Sequence, residues 1–270
     1  MRTLPLHPGA DGLRDDTAVL EIGGERLILT HDAIAEGVHY RPGTDPFDIA
    51  WKLVAVNLSD LAAKGAEPLG VLIGAVLVDR AERFVEGLRA ILTEYDVPLL
   101  GGDTISISPA TFGCTAIGRA GATVPSRSGG KPGDGLWITG PVGAAMLGFE
   151  GGSGTAYLRP RPRLADGRAL AAHVHAMMDI SDGLLLDASR LSEASGCTAE
   201  IALAKVPLAP GAEPLRAVTW GDDYELLFTA SADFEPPVPA ARIGSLAGKG
   251  PAPLLLDGQA PDFPLGYQHR

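Results

Sequence analysis

The chain has little cysteine, few aromatic residues, a shortage of positive charge and no long apolar run. Only two of its 270 residues are cysteine, Cys114 and Cys197, and neither belongs to a CxxC pair. A disulfide framework and a cysteine-built metal site are therefore set aside, leaving two reduced structural thiols of the kind expected in the cytoplasm. Aromatics make up 6% of the chain, so the core is mainly aliphatic. Lys and Arg number 22 against 33 Asp and Glu, a net charge of −11 that repels nucleic acid and anionic membranes. The longest apolar stretch, LGVLIGAVLV at 69–78, is about half a membrane span and reads as a buried strand. The N-terminal MRTLPLHPGADG has no apolar h-region, so neither a signal peptide nor a membrane location is expected.

Several catalytic signatures are missing as well. GSLAGKG at 244–250 has three residues between its outer glycines where a P-loop has four, and Gly250 stands where Ser or Thr is needed. The protein-kinase set and a GxSxG elbow are absent. His173 and His175 form an HxH without a cysteine partner, read as an exposed pair at a helix end. No fixed-period repeat and no low-complexity tail occurs.

What is present is glycine, apolar runs and well-placed aspartate. The 35 glycines are about twice the usual share, which implies many tight turns and close backbone approaches. TAVLEI and RLILTHD flank Gly23-Gly24, a hairpin signal. Apolar residues at helical spacing predict a helix over 47–65, followed by the strand 69–78 and an amphipathic helix over 80–95. VPLLGGD and TFGCTAIGRA read as strands. The Gly-, Pro- and Ser-rich stretch 121–135 is the expected boundary, giving domains 1–122 and 123–270. The second half is expected to hold the strand LWITG, helices near 142–149, 161–176 and 183–195, and strands near 198–204, 224–229, 240–244 and 253–257. Alternating elements in both halves indicate an α/β fold with mixed sheets in two domains.

Aspartates end several of these apolar runs: Asp15-Asp16, Asp32 in LTHDAIAEGVHY, Asp60 in VNLSDLAAKGA, Asp103 in LLGGDT, and Asp179 with Asp182 in MMDISDGLLLD. A carboxylate beside a buried element is costly unless a cation neutralises it. Hard oxygen ligands suit Mg²⁺, and Mg²⁺ suggests phosphate chemistry. DISDG precedes a helical run, where free N–H groups favour an anion and Asp179 and Asp182 call for a cation. Each segment also has a plain reading: a capped helix for DISDG, a turn for GGDT, a loop pair for Asp15-Asp16, a solvated residue for Asp60. The residues taken singly leave both readings open.

Taken together, HDAIAEGVHY, NLSDLAAKGAEP, GGDT, RSGGKPGD, LRPRPRL, DISDGLLLD, GDDYELLF and the terminal GYQH resemble the thiamine-monophosphate kinase family, in the superfamily of aminoimidazole ribonucleotide synthetase and selenophosphate synthetase. The resemblance implies transfer of phosphate from ATP to thiamine monophosphate, directly and in line, assisted by Mg²⁺. It implies several Mg²⁺ ions on Asp16, Asp32, Asp60, Asp103, Asp179 and Asp182, with nearby oxygens from Thr30 and His31. ATP would meet Gly102, Asp103, Arg127 and Ser181, and thiamine monophosphate would meet His39, Asp222 and Tyr267. It further implies a homodimer paired through the N-terminal domain. The sequence departs from the family pattern at Arg14, where Gly is usual, at His31, where Ser or Thr is common, at Asp222, where Glu is usual, and in the ending GYQHR. Other members of the superfamily fit less well: the first fifteen residues hold no Cys or Lys for selenophosphate synthesis, and no modifiable cysteine ends the chain. A non-catalytic nucleotide-binding protein on the same fold is the rival from a different class.

Overall fold

The computed structural model describes residues 3–76, 79–151 and 154–268. Two apolar β-runs joined by the left-handed Gly23-Gly24 turn form the hairpin β1 (Ala18–Ile22) and β2 (Glu25–Ala35). Helix α1 (Pro46–Ala63) begins at Asp45, whose side chain accepts from the Phe47 N–H, with Pro46 in its first turn. The chain turns away just after it at Gly65, in left-handed backbone. Almost all of α1 is buried, as a helix apolar on every side must be. Strand β3 (Glu67–Val76), helix α2 (Ala81–Glu94), β4 (Leu99–Ile105) and β5 (Thr111–Ala120) complete the first half. The last two residues of the expected strand 69–78 lie outside the described residues.

The second half runs β6 (Gly135–Ile138), α3 (Ala144–Gly151), α4 (Thr155–Leu158), α5 (Leu164–Leu170), β7 (Ala176–Asp179), α6 (Leu184–Ala194), β8 (Cys197–Ile201), α7 (Pro214–Trp220), β9 (Leu226–Ala230), β10 (Ala241–Gly248) and β11 (Leu254–Leu256). Among the described residues the strands form a five-stranded sheet ordered β1-β2-β5-β3-β4 and a six-stranded sheet ordered β11-β8-β10-β6-β9-β7. Among the strands of the described residues only β3–β4 and β8–β11 pair in parallel, so both sheets are mixed. One apolar core packs α1 against the first sheet and extends to Leu170, Met177 and Phe228 of the second half; another lies within the second sheet and its helices. The two halves therefore meet along α1.

Three expectations are corrected. The helix 161–176 stops at Leu170, because Ala176–Asp179 pair with β9 as an edge strand and the His175 N–H donates to the Thr229 carbonyl. Sheet pairing overrides the local helical pattern there. His175 is not an exposed histidine: its Nδ1 lies 2.9 Å from the buried Asp134 carboxylate. Helix α7 was not expected, although Glu213 accepts from the Leu215 and Arg216 N–H groups and Pro214 opens it. Both cysteines are free and buried. Among the described residues no helix is long and apolar enough to cross a membrane.

Candidate active site at the meeting of the two halves

A cavity of about 770 Å³ lies where β2 and α1 of the first half face the β7–α6 turn, α7 and the chain end of the second. One side of it is acidic. Asp16 follows the N-terminal turn, Asp60 lies near the end of α1 and Asp179 ends β7; their carboxylate oxygens lie within 4.8 Å of one another. Asp60 and Asp179 are buried, and among the described residues neither pairs with a lysine or arginine. Their partners are hydroxyls: Thr30 Oγ1 donates to Asp60 Oδ2, and Ser59 Oγ donates to Asp179 Oδ2 at 2.7 Å. Burial first, then the neighbouring carboxylates, pushes both acids above the usual range. Arg127 donates to Asp16. Burial disfavours its charge, but Asp16 and Asp15 more than offset this and hold the guanidinium above its ordinary value. Three converging carboxylates, two of them buried without a cation, have the donor chemistry of a hard divalent ion, and Mg²⁺ fits them.

The β7–α6 turn binds the cavity together through its backbone. The Ser181 carbonyl accepts the Asp222 N–H at 2.8 Å, and the Asp182 carbonyl accepts the Tyr267 N–H at 2.9 Å. These approaches require glycine in the two partner segments. A Cβ on Gly221 would come within 2.5 Å of the Ser181 carbonyl oxygen, and one on Gly266 within 2.3 Å of that of Asp182. The motifs GDDYE and GYQ are thus docked on DISDG. Phe149, Tyr157 and Trp220 add an aromatic side, with Phe149 at 5.2 Å from both other rings between centroids.

Comparison with known proteins identifies the architecture. Residues 14–120 match the AIR synthase related protein N-terminal domain, and residues 131–235 the corresponding C-terminal domain. The thiamine-monophosphate kinase of Escherichia coli (strain K12) is 38% identical over 249 residues, covering 81% of this chain and 75% of that protein. The chain belongs to the thiamine-monophosphate kinase family. A solved structure described as AaThiL complexed with AMPPCP and TMP superposes with a TM-score of 0.87 at 28% identity, over 99% of each chain. The thiamine-monophosphate kinase from Stenotrophomonas maltophilia K279a superposes with a TM-score of 0.79 at 33% identity, over 96% of this chain and 94% of that one.

In this member of the thiamine-monophosphate kinase family, Asp16, Asp32, His39, Asp60, Asp179, Ser181, Asp182, Asp222 and Tyr267 all line the one cavity. Thr30 and Arg127 touch it through Asp60 and Asp16. Of the other three expected residues, two lie away from the cavity, and His31, expected to offer its backbone oxygen, turns its side chain from it. His31 points to the other face of β2, where its Nδ1 meets Thr115 Oγ1 at 2.8 Å, because successive strand residues alternate faces. Gly102 and Asp103 sit on β4, which is exposed throughout and does not line the cavity. The terminal His269 is outside the described residues. Asp222 has both carboxylate oxygens engaged by the protein itself, Oδ2 with Lys52 Nζ at 3.0 Å and Oδ1 with the Tyr224 hydroxyl at 2.9 Å.

Sequence reasoning missed the buried residues that hold the family's motifs in shape. Asp187, fully buried, accepts the N–H groups of Ser181 and Asp182 and pairs with Arg190, which also pairs with Asp182. Burial pushes its carboxyl up to about 7, against the pull of Arg190. An acid inside the apolar run LLLDASRL was the available signal. Asp187→Ala is expected to lower kcat by about 10- to 100-fold by loosening the DISDG turn, with Asp187→Asn milder; steady-state kinetics beside circular dichroism checks it.

Asp223 is a second missed acid. It accepts from the Gly143 N–H at 2.9 Å, its Oδ2 is buried without a partner, and burial pushes its carboxyl up to about 8. Its folded value lies above its unfolded one, so its contribution to stability is fully present below about pH 4 and is lost as pH rises through about 8. Asp223→Asn removes that dependence. Thermal melts are expected to show the variant gaining on the parent chain as pH rises from about 4 to about 8 and the difference levelling off above that; parallel curves would contradict the assignment.

Proposed function

We propose that this chain transfers the terminal phosphoryl group of ATP to the phosphate of thiamine monophosphate, forming thiamine diphosphate and ADP. The observation that carries the reading is the convergence of Asp16, Asp60 and Asp179 beside an aromatic-lined cavity of about 770 Å³, in a chain of this family. That volume suits two phosphate-bearing ligands side by side. Asp16, Asp32, Asp60, Asp179 and Asp182 would hold Mg²⁺, which supplies neutralisation of the carboxylates and of the phosphate oxygens.

The chain's own residues do the rest by positioning. The acceptor phosphate is already anionic at neutral pH, so no general base is needed to make it a nucleophile. What opposes the reaction is repulsion between phosphates, and Arg127, beside Asp16, is a cation placed to offset it. Ser181, at the entry to α6, is poised for ATP phosphate oxygens, while Asp187 and Arg190 keep the turn that carries it from opening. His39 and Tyr267 line the acceptor side with the aromatic residues, excluding water around the thiamine rings.

We infer a homodimer as well. Strand β4 ends the first sheet with every residue exposed, and Leu99, Leu100 and Ile105, with Leu72 of β3, leave apolar side chains exposed at that edge that a second copy would cover. Gly102 and Asp103 ride on that strand, so pairing is the arrangement in which they would serve ATP and Mg²⁺. The domains would divide at 122/123, within the loop after β5. Leu100→Glu is expected to give monomers in sedimentation; an unchanged dimer would place the interface elsewhere.

The function is tested by following ADP release with ATP and Mg²⁺, with and without thiamine monophosphate, and chromatographing the products. Acceptor-dependent thiamine diphosphate supports the proposal. ADP released without that product favours a different acceptor.

A further inference from the structure

Lys52 stands in the middle of α1 with 2% of its side chain exposed. A lone ammonium in such a place is strongly unfavourable, so its partners define what it does. Its Nζ donates to the His39 carbonyl and to Asp222 Oδ2, both at 3.0 Å, and lies 3.9 Å from the centre of the Tyr157 ring. The Tyr157 hydroxyl donates to the same His39 carbonyl at 2.9 Å. Burial pulls the ammonium below its ordinary value, and Asp222 pulls it back.

These partners come from both halves of the molecule: His39 from the loop after β2, Tyr157 from α4 and Asp222 from the segment after α7. All three line the cavity, and Lys52 does not. It therefore stands behind the wall and ties its pieces together. The backbone of the 222–224 segment is anchored independently, by the Asp222 N–H on the Ser181 carbonyl and the Tyr224 N–H on the Ile180 carbonyl, each at 2.8 Å. Losing the ammonium would remove the link between Asp222 and the His39 carbonyl, leaving Asp222 to the Tyr224 hydroxyl and that carbonyl to the Tyr157 hydroxyl, while the acidic side of the cavity stays held.

We propose that Lys52 is the positioning residue of the acceptor pocket: it locks the His39 segment of the first half to Asp222 and the Tyr157 ring of the second, so that thiamine monophosphate meets a pocket already assembled. This rests on the function proposed above. Because Lys52 acts on the acceptor side only, its removal separates the two substrates. It also acts through Asp222, so the two residues are not independent.

The test is a cycle of Lys52→Met, Asp222→Asn and the double variant, with KM measured for each substrate. Lys52→Met is expected to raise the KM for thiamine monophosphate at least about tenfold, with the KM for ATP within about twofold. The double variant, which leaves no unpaired charge and so guards against misfolding, is expected to be no worse than Asp222→Asn alone. Equal losses for both substrates, an unchanged acceptor KM, or a double variant whose defect equals the product of the singles would overturn the inference. A parent chain that makes no thiamine diphosphate contradicts the proposed function; an active parent with a normal Lys52→Met contradicts only the role of Lys52.

Discussion

Asp60→Asn is expected to lower turnover by about a thousandfold or more while the fold stays intact, since several kcal/mol of charge stabilisation at the transition state would go with it. The carboxylate lies buried against Asp16 and Asp179, with the Thr30 hydroxyl as its hydrogen-bond partner. In the metal-free protein that arrangement is a source of repulsion, and burial with the neighbouring acids raises the affinity of Asp60 for a proton. An amide of the same shape removes the repulsion. The variant's melting temperature in chelator should therefore equal or exceed that of the parent chain, while added Mg²⁺ stabilises the parent more than the variant. Near-normal activity in Asp60→Asn would remove the acidic cluster from the account.

Arg127→Gln is expected to have the second-largest effect, a fall in kcat of about 10²- to 10³-fold with a raised KM for ATP. Arg127 is the guanidinium that reaches this cluster: it donates to Asp16 and lies 4.0 Å from Asp15, which is itself paired with the buried Lys64 at 2.6 Å. Here the effect on stability has the opposite sign to that of Asp60→Asn. Removing the cation leaves Asp16 without its partner, so the melting temperature in chelator should fall. Two substitutions in one cluster that both lower activity steeply but shift stability in opposite directions are hard to explain unless the charges work as one unit. Melts and kinetics on the same preparations read both signs.

How much was legible follows from where the information sits. The Gly23-Gly24 hairpin, α1, the strand TFGCTAIGRA and the helix after DISDG were readable because their patterns are local and agree with their tertiary setting. The end of α5 was not, because pairing with β9 claimed residues 176–179 for the second sheet. The aspartates that gather at the cavity were readable as an apolar run ending in acid. The direction of the His31 side chain was not legible: one residue along a strand changes the face, and the register with Thr115 across β5 settles which way it points. Lys52, Asp187 and Tyr157 carried weaker signals, a charge or a ring inside an apolar helix. Their roles depend on contacts between segments far apart in the chain, which spacing does not encode. The docking of Gly221 and Gly266 on the DISDG turn was hidden in the same way, although both glycines stood in recognised motifs.

The most direct measurement is the fate of label from γ-labelled ATP incubated with Mg²⁺, thiamine monophosphate and either the parent chain or Asp60→Asn, quenched in acid and separated. The account predicts labelled thiamine diphosphate from the parent chain, none above background from the variant, and no label on the protein, as direct in-line transfer requires. Label recovered only as free phosphate, label bound to the protein, or equal product from the two chains would contradict it.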